Sequence, residues 1–164
     1  MLKLVSLALV LYSYFLIQAS LPKLPRLIPT HFNAAGEPNG WGSPGSLWIL
    51  LGVQVLTCVV ILSVPYLGRR FPETVSLGLR RLSDYTPAQR VRILPLLDDM
   101  MGYVSILMNL FFVFMLRGTL RAAEQAHPQL HIRWPLALLL GGTLFLVIYH
   151  LRRFSQVAKE ENAS

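Results

Sequence analysis

His31, Asn33 and Glu37 stand close together in a Pro- and Gly-rich segment, 21–43, which reads LPKLPRLIPTHFNAAGEPNGWGS. An imidazole, a carboxamide and a carboxylate within reach of one another can bind a peptide or an ion. Two further imidazoles, His127 and His131, are spaced i, i+4, which puts both on one side of a helix. Were His31 and Glu37 to meet His127 and His131, three nitrogens and a carboxylate would have the donor set of a zinc or copper site. His31 and Glu37 alone fall short of the four protein ligands of a structural zinc. The other reading of these side chains is that they are separate, solvated or bonded to backbone. A second kind of chemistry would rest on Asp98 and Asp99, the only acids inside an apolar run. An intramembrane carboxylate is a candidate proton or cation relay. Both follow Pro95 by about one turn, however, where interfacial water and Arg92 reach them. His150, beside Arg152 and Arg153, has a lipid headgroup or an acid as its expected partner. The sequence carries no Gly-rich phosphate loop, no H-E-x-x-H and no G-x-S-x-G. No enzyme and no cofactor are therefore expected.

The elements that must position these residues are hydrocarbon-spanning helices. Of the 164 residues, 54% are hydrophobic and 14% charged, against about a quarter charged in a globular domain. Four apolar runs, 2–19, 47–67, 94–116 and 134–151, approach or exceed the roughly 20 residues that cross a bilayer core. The expected fold class is an all-α integral membrane protein with four transmembrane helices. Trp48, Tyr66, Trp134 and Tyr149 fall near run ends, as interfacial aromatics do. The net charge of +7 fits cytoplasmic loops and anionic lipid better than nucleic acid. Cys58 is the single cysteine and lies in an apolar run, so it reads as a buried thiol. The first run reads as a span rather than a cleaved signal, because it is longer than a usual signal core and no clean cleavage site follows.

Lys and Arg set the orientation. Lys3, the six arginines of the 69–92 stretch, Arg152, Arg153 and Lys159 fall on one side; Lys23, Arg26, Arg117, Arg121 and Arg133 fall on the other. The richer side is expected in the cytoplasm, with both termini, and the 21–43 and 117–133 loops outside. Val75, Leu79 and Leu82 at i, i+4, i+7 predict a short amphipathic cytoplasmic helix over 72–82. Thr86-Pro87-Ala88-Gln89 is a capping-box pattern that starts the third helix, with a bend expected near Pro95. The chain divides into 1–68, a two-span module with the motif loop; 69–93, the cytoplasmic stretch; and 94–164, a second helical hairpin with a polar tail. Gly52, Gly141, Gly142 and Thr143 are candidates for helix contacts or homo-oligomer formation.

Within 21–43, Pro22, Pro25 and Pro29 stiffen the exit from the first run. Glu37-Pro38-Asn39-Gly40 has the make-up of a turn, with Pro in second place. The segment is thus a tightly folded, irregular outer loop with Trp41 as an interfacial anchor. It is either a rigid turn between two spans or a surface that presents His31, Asn33 and Glu37 to a ligand. The candidate ligand-binding set is Pro25, Pro29, His31, Asn33, Gly36, Glu37 and Trp41.

Leu24-Pro25, Ile28-Pro29-Thr30-His31-Phe32-Asn33, Gly36-Glu37-Pro38 and Gly40-Trp41-Gly42-Ser43, set between two spans, resemble the bacterial domain of unknown function found at the N-terminus of SdpI-type immunity proteins. The likeness covers roughly residues 5 to 60. It implies a multi-pass protein of the bacterial inner membrane. Its best-known relatives protect a producer cell from its own peptide toxin and can hold a repressor at the membrane; they are longer, with additional spans. The leading expectation is a non-enzymatic protein that senses, binds or neutralises an extracytoplasmic peptide or envelope signal through 24–43. The alternative is a small transport or accessory subunit using Asp98 or Asp99. A membrane-embedded metalloenzyme comes third.

Overall fold

A computed structural model describes residues 1–125 and 128–160. Four helices account for most of them: α1, Leu2–Ser20; α2, Leu47–Arg70; α3, Pro87–Ala123; and α4, Arg133–Glu160. All four are long and apolar enough to cross a membrane. At 1.5 Å per residue α3 is roughly 55 Å long, well beyond the roughly 30 Å of hydrocarbon it must cross. Large apolar side chains such as Phe15, Ile49, Leu56, Val59, Leu144 and Phe145 point away from the bundle. Helices that are apolar on their outer as well as their inner faces belong in lipid. The chain is therefore a multi-pass membrane protein, in keeping with the four-span expectation.

The third helix is the hub and packs against α1, α2 and α4. Two apolar clusters close the bundle at opposite ends. At one end Ile17 of α1, Leu47 of α2, and Leu116 and Leu120 of α3 meet Ile28 from the connection after α1. At the other, Ile93, Leu97 and Met100 of α3 and Phe154 of α4 meet Leu77, Leu82 and Tyr85 from the connection after α2. Gly102 lets α1 come close to α3, since a Cβ there would stand 2.8 Å from Leu2 Cδ1. Gly142 does the same for α4, facing Leu107 Cδ1 at 3.0 Å. Gly52 and Gly141 meet nothing within 4 Å, so among these candidate contact glycines Gly142 alone marks a helix pair of the bundle.

Three local expectations change. The segment expected to be irregular contains an antiparallel β-hairpin, β1 (Ile28–Phe32) and β2 (Pro38–Gly42). Its turn is Asn33–Gly36 rather than Glu37–Gly40, and the residues from Pro38 to Gly40 lie in β2. Gly36 takes φ +86, which Gly alone adopts without strain. Asn33 supplies the side-chain bonds that close the turn there, and Pro38 is confined to the first place of its strand.

The amphipathic cytoplasmic helix over 72–82 is not formed. Pro72–Thr74 is one 3-10 turn. The two-residue strands β3 (Ser76–Leu77) and β4 (Arg80–Arg81) then pair around Gly78-Leu79, and Leu82–Asp84 makes a second 3-10 turn. Gly78 has φ +72, and Gly in the first place of a two-residue connection is a hairpin signal. Leu79, needed on the apolar face of the expected helix, is fully exposed at the tip, whereas Leu77 and Leu82 are buried.

The capping box at Thr86 forms as expected. Gln89 N donates to Thr86 Oγ1 at 3.2 Å, and Thr86 N donates to Gln89 Oε1 at 2.9 Å. From there α3 continues through Pro95 without interruption.

Candidate functional site

The hairpin is built around Asn33. Its side-chain oxygen accepts from Ala35 N and from Glu37 N, both at 2.9 Å. Its Nδ2 donates to Glu37 Oε2 at 3.0 Å. Asn33 N donates to the Glu37 carbonyl and Gly36 N to the Asn33 carbonyl, both at 2.9 Å. One carboxamide thus serves a turn of five residues, and each such bond stabilises by roughly 0.5–1.5 kcal/mol. Across the strands, His31 Nδ1–H donates to Asn39 Oδ1. Gly40 lies opposite His31, and a Cβ there would approach His31 Cβ to 2.9 Å. Asn33 and Glu37 therefore meet, whereas His31 pairs with Asn39 across the strands, so each takes its partner from within the hairpin.

Two anchors fix the hairpin to the bundle. Ile28 is fully buried among Ile17, Leu47, Leu116 and Leu120, with Pro29 buried beside it. At the tip, Leu130 N donates to the Gly36 carbonyl at 2.8 Å. A Cβ at Gly36 would collide with the Leu130 carbonyl oxygen. The two loops at this end of the bundle therefore touch, backbone against backbone. Asn39 and Trp41, two apart on β2, share a strand face, and the bond to Asn39 brings His31 to the same face. All three are exposed, Trp41 at 55% of its surface. Pro25 is exposed outside the paired strands.

Residues 5–55 match the model described as Domain of unknown function (DUF1648). The DUF1648 stretch takes in most of α1, the entire hairpin and the start of α2, so it coincides with the element that carries the candidate site. The matched span overlaps residues 5 to 60, where the motif reads as a bacterial domain of unknown function. No curated protein and no solved structure matches the chain.

Outside the DUF1648 stretch the other expected site residues fall apart into separate settings. His131 lines a cavity of about 280 Å³ with Arg121, Gln125 and Gln129. His127 lies outside the described residues. Among those described, no three His, Cys, Asp or Glu side chains gather as a metal site would require. Asp98, at the far end of the bundle, accepts from Lys3 Nζ at 2.7 Å. The pair is part-exposed, with Lys3 at 51% and Asp98 at 30%, and an ion pair of that kind is worth about 0–1 kcal/mol. Asp99 is exposed. His150 turns inward instead of reaching a headgroup or an acid; it is 3% exposed and its Nδ1–H donates to the Leu146 carbonyl at 2.9 Å.

Sequence reasoning passed over a polar chain between α2 and α3. Gln54 Nε2 donates to Asn109 Oδ1 at 3.0 Å. Asn109 Nδ2 in turn donates to the Ser105 carbonyl at 2.8 Å. Ser105 Oγ lies 3.6 Å from Cys58 Sγ. All four residues are buried. Ser6 and Ser13 of α1 are buried as well. The signal was there to read: Gln54 and Cys58 are four apart in one apolar run, and Ser105 and Asn109 are four apart in another. Each pair lies on one helix face, and polar faces in lipid seek each other.

Proposed function

We propose that the chain is a non-enzymatic protein of a bacterial inner membrane, with the hairpin outside and the α2–α3 connection in the cytoplasm. On this reading it binds an extracytoplasmic, membrane-active peptide on the exposed face of the hairpin and so protects the membrane. The excess of Lys and Arg on the connection side supports the orientation. The resemblance of the motif, within roughly residues 5 to 60, to the domain at the N-terminus of SdpI-type immunity proteins supports a peptide as the ligand.

One observation carries the reading. His31, Asn39 and Trp41 are presented together on a hairpin held from below by Ile28 and at its tip by Leu130. The two anchors hold these side chains in a fixed arrangement. A surface ordered before its ligand arrives avoids the ordering cost of binding, commonly about 0.5–1.5 kcal/mol for each immobilised side chain. An exposed Trp on such a surface is a suitable anchor for an amphipathic peptide.

The test is growth of a bacterial host that expresses the chain, challenged with a dilution series of cationic membrane-active peptides. The expected result is a severalfold rise in the inhibitory dose. It should be lost in Trp41→Ala and His31→Ala while both variants still accumulate in the membrane. An unchanged dose for the parent chain, or loss only where accumulation fails, would overturn the proposal.

A further inference from the structure

Between α3 and α4 lies a groove of about 310 Å³, and its lining is aliphatic and aromatic up to one end. Leu107, Phe111 and Phe114 form one wall and Leu138, Leu139 and Trp134 the other. Its lining on α3 extends from Leu107 to Arg117, roughly 15 Å of helix axis. That is half the thickness of a bilayer core, the depth of a single leaflet. At the mouth Trp134 meets Phe114 edge to face, with centroids 4.6 Å apart.

Beyond Phe114 the surroundings change character. Phe114 also borders the second cavity, of about 280 Å³, whose walls include Arg121, Gln125, Gln129 and His131. Arg117 and Arg121 are one turn apart on α3 and share a face. Among the described residues neither forms an ion pair. Glu124 is the nearest acid along the chain and is exposed. An apolar trough one leaflet deep thus ends at Arg117 and, across Phe114, borders a hydrogen-bonding cavity walled in part by Arg121.

We propose that this is a binding site for one anionic phospholipid of the surrounding bilayer. An acyl chain lies along the groove, and the phosphate sits between Arg117 and Arg121 with the glutamine amides beside it. The charge complementarity selects the occupant, because two arginines at the end of an apolar trough match a phosphate joined to an acyl chain, which an apolar peptide does not offer. Basic pockets between transmembrane helices recognise lipid headgroups in this manner. The site lies outside the hairpin and does not depend on the peptide-binding proposal.

Native mass spectrometry of the delipidated full chain tests the site, with phosphatidylglycerol and phosphatidylcholine of identical acyl chains added in turn. One phosphatidylglycerol should be retained in preference to phosphatidylcholine. Arg117→Gln with Arg121→Gln should lower that preference by about thirtyfold, from two near-surface cations. Leu138→Trp, which fills the groove from an exposed position, should displace both lipids. Equal retention of the two lipids by the parent chain would overturn the site, as would a preference that survives the arginine substitutions. Displacement of phosphatidylglycerol by inorganic phosphate would assign the cavity to a soluble anion instead. A lipid-free dimer would assign the groove to a second copy.

Discussion

The contact between Gly36 and Leu130 makes the sharpest prediction. In Gly36→Ala two penalties coincide. Gly36 has φ +86, and holding an L-residue in the left-handed region costs about 1–2 kcal/mol. The new Cβ would also fall on the Leu130 carbonyl oxygen, which is backbone and cannot turn aside as a side-chain tip can. The loops must separate, and the bond from Leu130 N to the Gly36 carbonyl, 2.8 Å long, is lost. That bond adds about 1 kcal/mol. The sum is about 2–3 kcal/mol, or roughly 30–150-fold in the local opening equilibrium. Amide hydrogen exchange reads this directly, with Leu130 and Gly36 exchanging faster by that factor. Gly118→Ala is the control. A Cβ there would meet only the Leu130 side chain, Cδ1 foremost, which can turn aside, and Gly118 has no positive φ. Its effect on Leu130 exchange should be severalfold smaller. A change below twofold in Gly36→Ala, or equal effects from the two alanines, would refute the reasoning.

Two further predictions concern the bundle and its placement. Asn109→Leu should lower stability by about 2–3 kcal/mol, because it removes an interhelical bond of about 1 kcal/mol and strands the buried Gln54 amide. The double variant with Gln54→Leu should recover most of that in a detergent-titration unfolding assay; additivity within about 0.5 kcal/mol would show that the two amides are not coupled. In a Cys58→Ser background, a cysteine replacing Arg80 should resist a membrane-impermeant maleimide added to intact cells and one replacing Asn39 should react; the reverse pattern would invert the orientation.

The four helices were legible because the bilayer imposes a length and a composition that survive in one dimension. Runs 2–19 and 47–67 differ from α1 and α2 by one and three residues at their C-terminal ends. The capping box at Thr86 was equally legible, since every atom it needs lies within four residues. The hairpin was hidden for the opposite reason. Gly, Pro and Asn weaken the alternation that marks a strand, and Glu37-Pro38-Asn39-Gly40 offered a turn as good on local grounds as the one that forms. Asn33 decides the matter with bonds to Ala35 and Glu37. The short helix over 72–82 failed because periodicity was weighed above Gly78, whose φ of +72 folds the chain back after Leu77.

Sequence alone thus determined that the chain lives in a membrane, how many times it can cross, and where the one unusual loop lies. These follow from hydropathy and covalent neighbours. Tertiary structure decided which polar residues matter and to whom. It joined Gln54 to Asn109 across 55 positions and Lys3 to Asp98 across 95, and it set Gly36 against Leu130. No local rule reaches over such separations. Where water is absent, each buried amide must find its partner through the packing of whole helices.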